Sequence, residues 1–278
     1  MALRTVLLCN EVKWIKSNWL NCRAIKLLMD FSKKFWNICD QQYIAAHSLQ
    51  NSELLYLVQR IFITAKGREL AMLHSPDQRE ALSWVIKDIH SKGWATGTGG
   101  NFSAVASRDP LTLLMAPSGV DKGMVAPADL IEVNQQGQVI GGTGKASAET
   151  LLHLAIVEAT GAGAVLHTHS VFNTLLSVVY AAQGTVTLAG YEMLKGLEGI
   201  TTHDTTVQIP VLANSQDMQS VSQEIRPLLQ QEPYLYGVLL AGHGLYTWGS
   251  TLFQTRRHLE ILEFLFELTY RKLAIPTM

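Results

Sequence analysis

The sequence predicts an α/β fold in three layers: a central mixed, largely antiparallel sheet with helices on both faces. Three observations lead there. Apolar residues are 47% and charged residues 16% of 278, enough for one large buried core. After residue 75, segments with apolar residues at helical spacing are interspersed with short apolar runs that read as strands. The two kinds do not alternate strictly, so hairpins and crossovers must mix, and a partly antiparallel sheet covered by helices is the economical packing. A formal net charge of −1 leaves no footprint for nucleic acid. Lys, Arg or Glu interrupts each apolar run before a bilayer-spanning length, so no membrane partner is expected.

The first seventy residues stand apart in charge. They hold ten Lys or Arg against five Asp or Glu, a formal +5, whereas the rest of the chain holds twelve against eighteen, a formal −6. Trp14, Trp19 and Trp36 lie in this segment, its first glycine is Gly67, and its apolar residues recur at roughly helical spacing. It lacks the compact apolar core and small-residue cleavage site of a secretory signal, and Glu11, Asp30 and Asp40 weaken a transit-peptide reading. The other reading makes Met72 the true start and residues 1–71 a basic extension that is not native. Cys9, Cys22 and Cys39 also fall here, loosely spaced and odd in number, which suits neither a disulfide framework nor a zinc ribbon. A reducing cytoplasm is the expected location.

Order begins at Ser75-Pro76-Asp77-Gln78, which reads as a capping box with Ser75 as cap. Ala81, Leu82, Val85, Ile86 and Ile89 then form one apolar stripe, closed by Gly93. Thr96–Ser103 is a glycine-rich stretch. Its small residues could form a nest for an anion, though alone it reads as a turn, and it is neither a Walker loop nor a dinucleotide fingerprint. A strand at Leu111–Met115 leads to Ala116-Pro117-Ser118-Gly119, and Leu130–Val133 with Gln138–Ile140 reads as a hairpin. Lys145–Glu149 opens a helix to about Ala159 with Ser147 as a candidate cap, and Gly161 and Gly163 stop it. The strand Ala164–His167, a helix near Val171–Ala182, strands at Thr185–Leu188 and Val207–Val211, and a helix at Asp217–Leu229 follow. The strand Gly237–Leu240 runs into Ala241–Gly249, and a long helix from about Leu252 to Leu273 closes the chain.

The chemistry gathers around Leu166-His167-Thr168-His169-Ser170. Residues i and i+2 of a strand share a face, so His167 and His169 project together. Neutral imidazole is the usual nitrogen ligand of zinc, and a catalytic zinc site has three protein ligands and one open position. His243 follows an apolar strand as His167 does, with a glycine on each side, and is the third candidate. His153 reads as a packed helix residue; His47, His74, His90 and His258 read as surface or helix positions, and His203 as a loop residue in solvent. Two carboxylates compete for proton transfer: Glu192, in a short loop after Gly190-Tyr191, and Glu149, at a helix start where the dipole favours the ionised form and a purely structural role is the alternative.

Gly99-Gly100-Asn101-Phe102-Ser103, Ala116-Pro117-Ser118-Gly119, Lys145-Ala146-Ser147-Ala148-Glu149, His167-Thr168-His169-Ser170 and Gly242-His243-Gly244 occur in the order of the class II aldolase/adducin family. The chain resembles that family from about Ser75 to Leu273. The resemblance implies a class II aldolase-like catalytic domain over residues 72–278, with one Zn2+ per subunit on His167, His169 and His243. It implies a sugar-phosphate substrate whose phosphate is held by Asn101, Ser118, Gly119 and Ser147. Tyr191-Glu192-Met193-Leu194-Lys195 resembles the dehydratase branch of the family. That implies loss of water from 5-methylthioribulose 1-phosphate, a step of methionine salvage, with Glu192 as catalytic acid/base. A homotetramer with sites near subunit boundaries is also implied.

Three departures stand out. Ala146 replaces a proline common among relatives, Ala148 offers no second hydroxyl, and Ala241 stands where dehydratases often carry a basic residue before Gly-His-Gly. Two other functions remain open. A sugar-phosphate aldolase or 4-epimerase would use the same histidines with Glu149 as acid/base. A non-catalytic adducin-like module would have no need of all three histidines, and this chain keeps all three.

Overall fold

The computed structural model describes residues 77–232, 234–273 and 275. The expected boundary near residue 72, the three cysteines and the Ser75 cap lie outside the described residues. Helix α1 (Gln78–Ser91) is capped instead by Asp77, whose side chain accepts from Arg79 N–H at 2.9 Å. Its apolar stripe, Ala81, Leu82, Val85, Ile86 and Ile89, is buried as the spacing requires.

Two antiparallel ribbons follow: β1 (Asn101–Arg108) with β2 (Leu111–Met115), then β3 (Ile131–Asn134) with β4 (Val139–Gly141). Helix α2 (Thr150–Thr160) ends at Gly161, whose φ of +71° suits a residue without a Cβ and lets its N–H reach Val157 C=O at 2.9 Å. Strand β5 (Ala164–Thr168) comes next, then α3 (Val171–Val179), β6 (Thr185–Ala189), β7 (Thr206–Leu212) and α4 (Met218–Gln231). Strands β8 (Gly237–Leu240) and β9 (Gly244–Gly249) form a hairpin, and α5 (Leu252–Leu273) completes the order.

The nine strands form one sheet in the order β4-β3-β2-β1-β5-β9-β8-β7-β6. Only the β7–β8 pair is parallel, so the expectation of a mixed, largely antiparallel sheet holds. One core cluster packs α1, α3 and α5 on one face through residues such as Ile86, Leu176 and Leu262. A second packs α2 and α4 on the other, through Leu152, Ile156 and Ile225. The result is the three-layer arrangement.

The strands β1 and β9 were not anticipated as strands, yet they flank β5 on its two sides. Their register puts Asn101 opposite His167 on one side and Tyr246 opposite His167 on the other. The central row of the sheet therefore reads Asn101, His167, Tyr246, all on the face that meets α2. Helix α3 stops at Val179, three residues short of the expected end, and turn residues 180–184 lead from it to β6.

Candidate metal centre

His167 is the penultimate residue of β5, fully buried, and His169 lies just past the strand end. His243 sits in the turn between β8 and β9, its N–H bonded to Leu240 C=O at 3.0 Å. The close packing of β9 against β5 depends on Gly244. A Cβ there would fall on the Thr168 carbonyl oxygen and would lie 3.0 Å from His169 Cδ2 and 3.2 Å from His167 Cε1. Glycine is what lets the two histidine-bearing segments meet.

The three rings converge through Nε2. His167 Nε2 is 2.7 Å from His169 Nε2 and 3.3 Å from His243 Nε2. Ligand nitrogens of the three residues all fall within 4.8 Å of one another, the one such metal-ligating group among the described residues. His167 Nδ1 lies 2.9 Å from the carbonyl oxygen of Leu245. That carbonyl can only accept, so Nδ1 carries the proton and Nε2 keeps its lone pair for a metal. Burial pushes the basicity of His167 well below, and that of His169 below, the ordinary imidazole range. Both therefore present neutral nitrogen donors, and this donor set fits a zinc ion.

Glu149 completes the cluster. It is the residue before α2, with Oε1 3.1 Å from His243 Nε2 and Oε2 3.7 Å from His167 Nε2. Asn101 Nδ2 donates to the same carboxylate. Burial works against the charged form, but the His243 hydrogen bond and the neighbouring imidazoles outweigh it and bring the carboxyl to about 2. Beneath lies a polar layer. Tyr246 stacks on His167 with ring centroids 3.9 Å apart, and Ser103 Oγ lies 2.8 Å from His153 Nδ1. Burial holds His153 at about 4, so it is a neutral packed residue, as its helix position suggested.

Glu192 is placed elsewhere. It opens a short 3-10 turn (Glu192–Gly196) after β6, the edge strand four places from β5. Its side chain is 67% exposed; it pairs with Lys195 and lies 3.3 Å from His203 Nδ1. The hydrogen bond from Lys195 holds its carboxyl below the ordinary range. Among the described residues it makes no ion pair with the three ligand histidines of its own chain.

The phosphate candidates divide. Asn101 is buried against Glu149. The Ser118–Gly119 loop and the Lys145–Ser147 loop come together, with Ser118 N–H donating to Lys145 C=O at 2.9 Å. Ser147 does not cap α2 itself; its Oγ accepts from Glu149 N–H at 3.3 Å and holds the turn that presents the carboxylate. Three residues at or near this centre were not singled out from the sequence: Tyr246, Lys122 and Glu263. Lys122 and Glu263 are charged residues that are almost fully buried, which only a structure reveals. His258, expected on a surface or helix face, is buried, with Nδ1 2.8 Å from Trp248 C=O.

Three histidines converging beside a carboxylate at a sheet end define a metal-dependent class of site, and comparison with known proteins places the chain within it. A family model for the class II aldolase and adducin N-terminal domain matches residues 80–270, and the chain belongs to this family. Methylthioribulose-1-phosphate dehydratase of Picosynechococcus sp. is 41% identical over 206 residues, covering 73% of this chain and 96% of that protein. The enzyme of the same name from Xanthomonas campestris pv. campestris is 42% identical over 194 residues, 69% of this chain and 88% of that one. Among solved structures, L-fuculose-1-phosphate aldolase from Thermus thermophilus aligns with a TM-score of 0.56 at 26% identity, covering 69% of this chain and 94% of its own.

Proposed function

We propose that this protein is a hydro-lyase that removes water from 5-methylthioribulose 1-phosphate to give 2,3-diketo-5-methylthiopentyl 1-phosphate, a cytoplasmic step of methionine salvage catalysed by residues 72–278. The observation that carries the reading is the convergence of His167, His169 and His243 beside Glu149 in a chain about 41% identical to dehydratases of that name. Zinc, one ion per subunit on the three histidines, would polarise the substrate's ketone and neighbouring hydroxyl oxygens as a Lewis acid. Glu149, ionised and fixed by Asn101, is placed to accept the proton leaving C3. Glu192 carries a proton to the C4 hydroxyl, which departs as water, and the resulting enol tautomerises to the diketone. Asn101, Ser118, Gly119 and Ser147 hold the phosphate.

The position of Glu192 favours a homotetramer with the site at a subunit boundary, where Glu192 of a neighbouring copy reaches the histidines. Helix α3 supports this. Its Thr174 Oγ1 donates to His243 C=O at 3.2 Å, while Val171 and Val178 on the same helix are 67% and 59% exposed and apolar. Large exposed apolar side chains beside a site suit a subunit contact.

Incubation of the metal-loaded protein with 5-methylthioribulose 1-phosphate should produce the diketone's absorbance, and a chelator should abolish it. No product at saturating metal overturns the reading. Glu192→Gln should lower kcat by about 10²- to 10⁴-fold, the usual worth of a positioned proton donor. Mixed oligomers of Glu192→Gln and His167→Ala chains should regain activity that neither variant has alone. Full activity of Glu192→Gln would transfer both proton steps to Glu149. Release of a three-carbon phosphate instead of the diketone would support the aldolase reading, in which Glu149 beside the histidines is the acid/base.

A further inference from the structure

Lys122 follows the Ser118–Gly119 loop and is only 1% exposed. Its Nζ donates to Thr98 C=O at 3.0 Å and to Val120 C=O at 3.1 Å. Thr98 belongs to the glycine-rich stretch that enters β1 at Asn101, and Val120 to the loop that leaves β2. One buried ammonium thus ties together the two loops that present Asn101, Ser118 and Gly119. Two of its three N–H donors are used on these carbonyls.

Burying an ammonium without a paired carboxylate is costly, and burial accordingly lowers its proton affinity. Lys122 forms no ion pair among the described residues. The opposite charges that act on it are those of Asp121 and Glu149, and its own charge is felt at His169. A positive charge set between two loops, the glycine-rich one running against His169 at Gly99, suits a dianion at the edge of the metal centre. Ala241, next to the His243 turn, brings no charge to the site.

We propose that Lys122 is a positioning residue of a phosphate cradle, bracing the glycine-rich loop against the Ser118–Val120 loop and supplying the fixed charge that holds a sugar phosphate's dianion. The inference rests on the sugar-phosphate reading above but not on the reaction. It is therefore tested with inorganic phosphate, titrated by calorimetry into metal-loaded protein, with metal stoichiometry and Tm measured in parallel. Lys122→Gln keeps a donor and loses the charge; Lys122→Met loses both; Lys122→Arg keeps the charge. The two neutral variants should weaken phosphate binding about tenfold or more, the worth of a charge-assisted contact, with metal content retained, and Lys122→Arg should stay within about threefold of the parent. On the sugar phosphate, the same variants should raise KM far more than they lower kcat. Parental phosphate affinity in Lys122→Gln, an equal loss in Lys122→Arg, or a parent that does not bind phosphate each overturns the proposal. A parent that binds phosphate but does not dehydrate 5-methylthioribulose 1-phosphate refutes the reaction and leaves the cradle standing.

Discussion

Replacing Glu263 by glutamine should flatten the pH dependence of folding. Glu263 lies on α5 and is 3% exposed. It accepts from Ser170 Oγ at 2.5 Å, Thr168 Oγ1 at 3.1 Å and Asn173 Nδ2 at 2.8 Å, and so pins the segment on either side of His169. Burial raises its carboxyl from 4.5 to about 7, even though those three donors pull the other way. Lys92, Glu260 and Glu267 border the same cavity and are the charged groups that face it. The folded state thus holds this proton more tightly than the unfolded chain. The stabilisation is complete below the unfolded value near 4.5 and is lost as pH rises through about 7. At about 1.4 kcal/mol per tenfold in proton affinity, the full loss is ~3 kcal/mol, of which about 2–3 falls between about pH 5 and pH 8.5. Glutamine does not ionise. Urea unfolding of metal-saturated parent and Glu263→Gln across that window should show their stability difference shifting by this amount in the variant's favour as pH rises. Other ionisations are common to both proteins and cancel. Parallel curves for the two proteins would refute the reasoning.

Two further outcomes follow from the same geometry. Gly244→Ala should push β9 away from Thr168 and displace both His167 and His169. A loss of stability of about 1–3 kcal/mol or more is expected from such overpacking, with metal content well below the parent's by elemental analysis; a variant that keeps full metal would show that β9 tolerates the shift. Removal of the metal by a chelator should lower the unfolding free energy by about 3–4 kcal/mol relative to protein at a hundred- to thousandfold excess of zinc over its Kd. Added zinc should restore it, and His167→Ala should respond to neither treatment. An unchanged Tm on chelation of the parent would mean that the histidines hold no ion.

The ligand histidines were legible in the sequence because each marks the end of an apolar strand, and strand ends are where short-range pattern and function coincide. His167-x-His169 follows Ala164–Leu166, and His243 follows Gly237–Leu240. The strands that bring them together were not legible. In β1, Asn101 through Val105 are all buried, and in β9 all six residues are, so neither shows the apolar/polar alternation of a half-exposed strand. Glycines lead into both segments, and glycine next to small or aromatic residues reads locally as a turn. These glycines have a different purpose, which appears only with the sheet assembled. Gly244 has no room for a Cβ against the Thr168 carbonyl, so what reads as chain reversal is close approach between strands.

The same distinction explains the two glutamates. Glu149 reads locally as helix-terminus stabilisation, and it does stand at the start of α2. Helix α2 packs on the face of the sheet that carries His167, so the carboxylate that faces the helix dipole also faces the imidazoles. A structural and a catalytic role are therefore not alternatives there. Glu192 shows the converse. Its surrounding motif is specific, yet its own chain places it on an exposed turn at the far edge of the sheet, paired with Lys195. A carboxylate held in its charged form by an exposed lysine is a poor proton donor in isolation. It becomes a competent acid only if the Lys195 pairing is exchanged for a drier environment, as the proposed subunit boundary would provide. That exchange makes the mixed-oligomer experiment the decisive one: complementation between Glu192→Gln and His167→Ala chains requires the two residues to act from different copies, and its failure would refute a site shared between them.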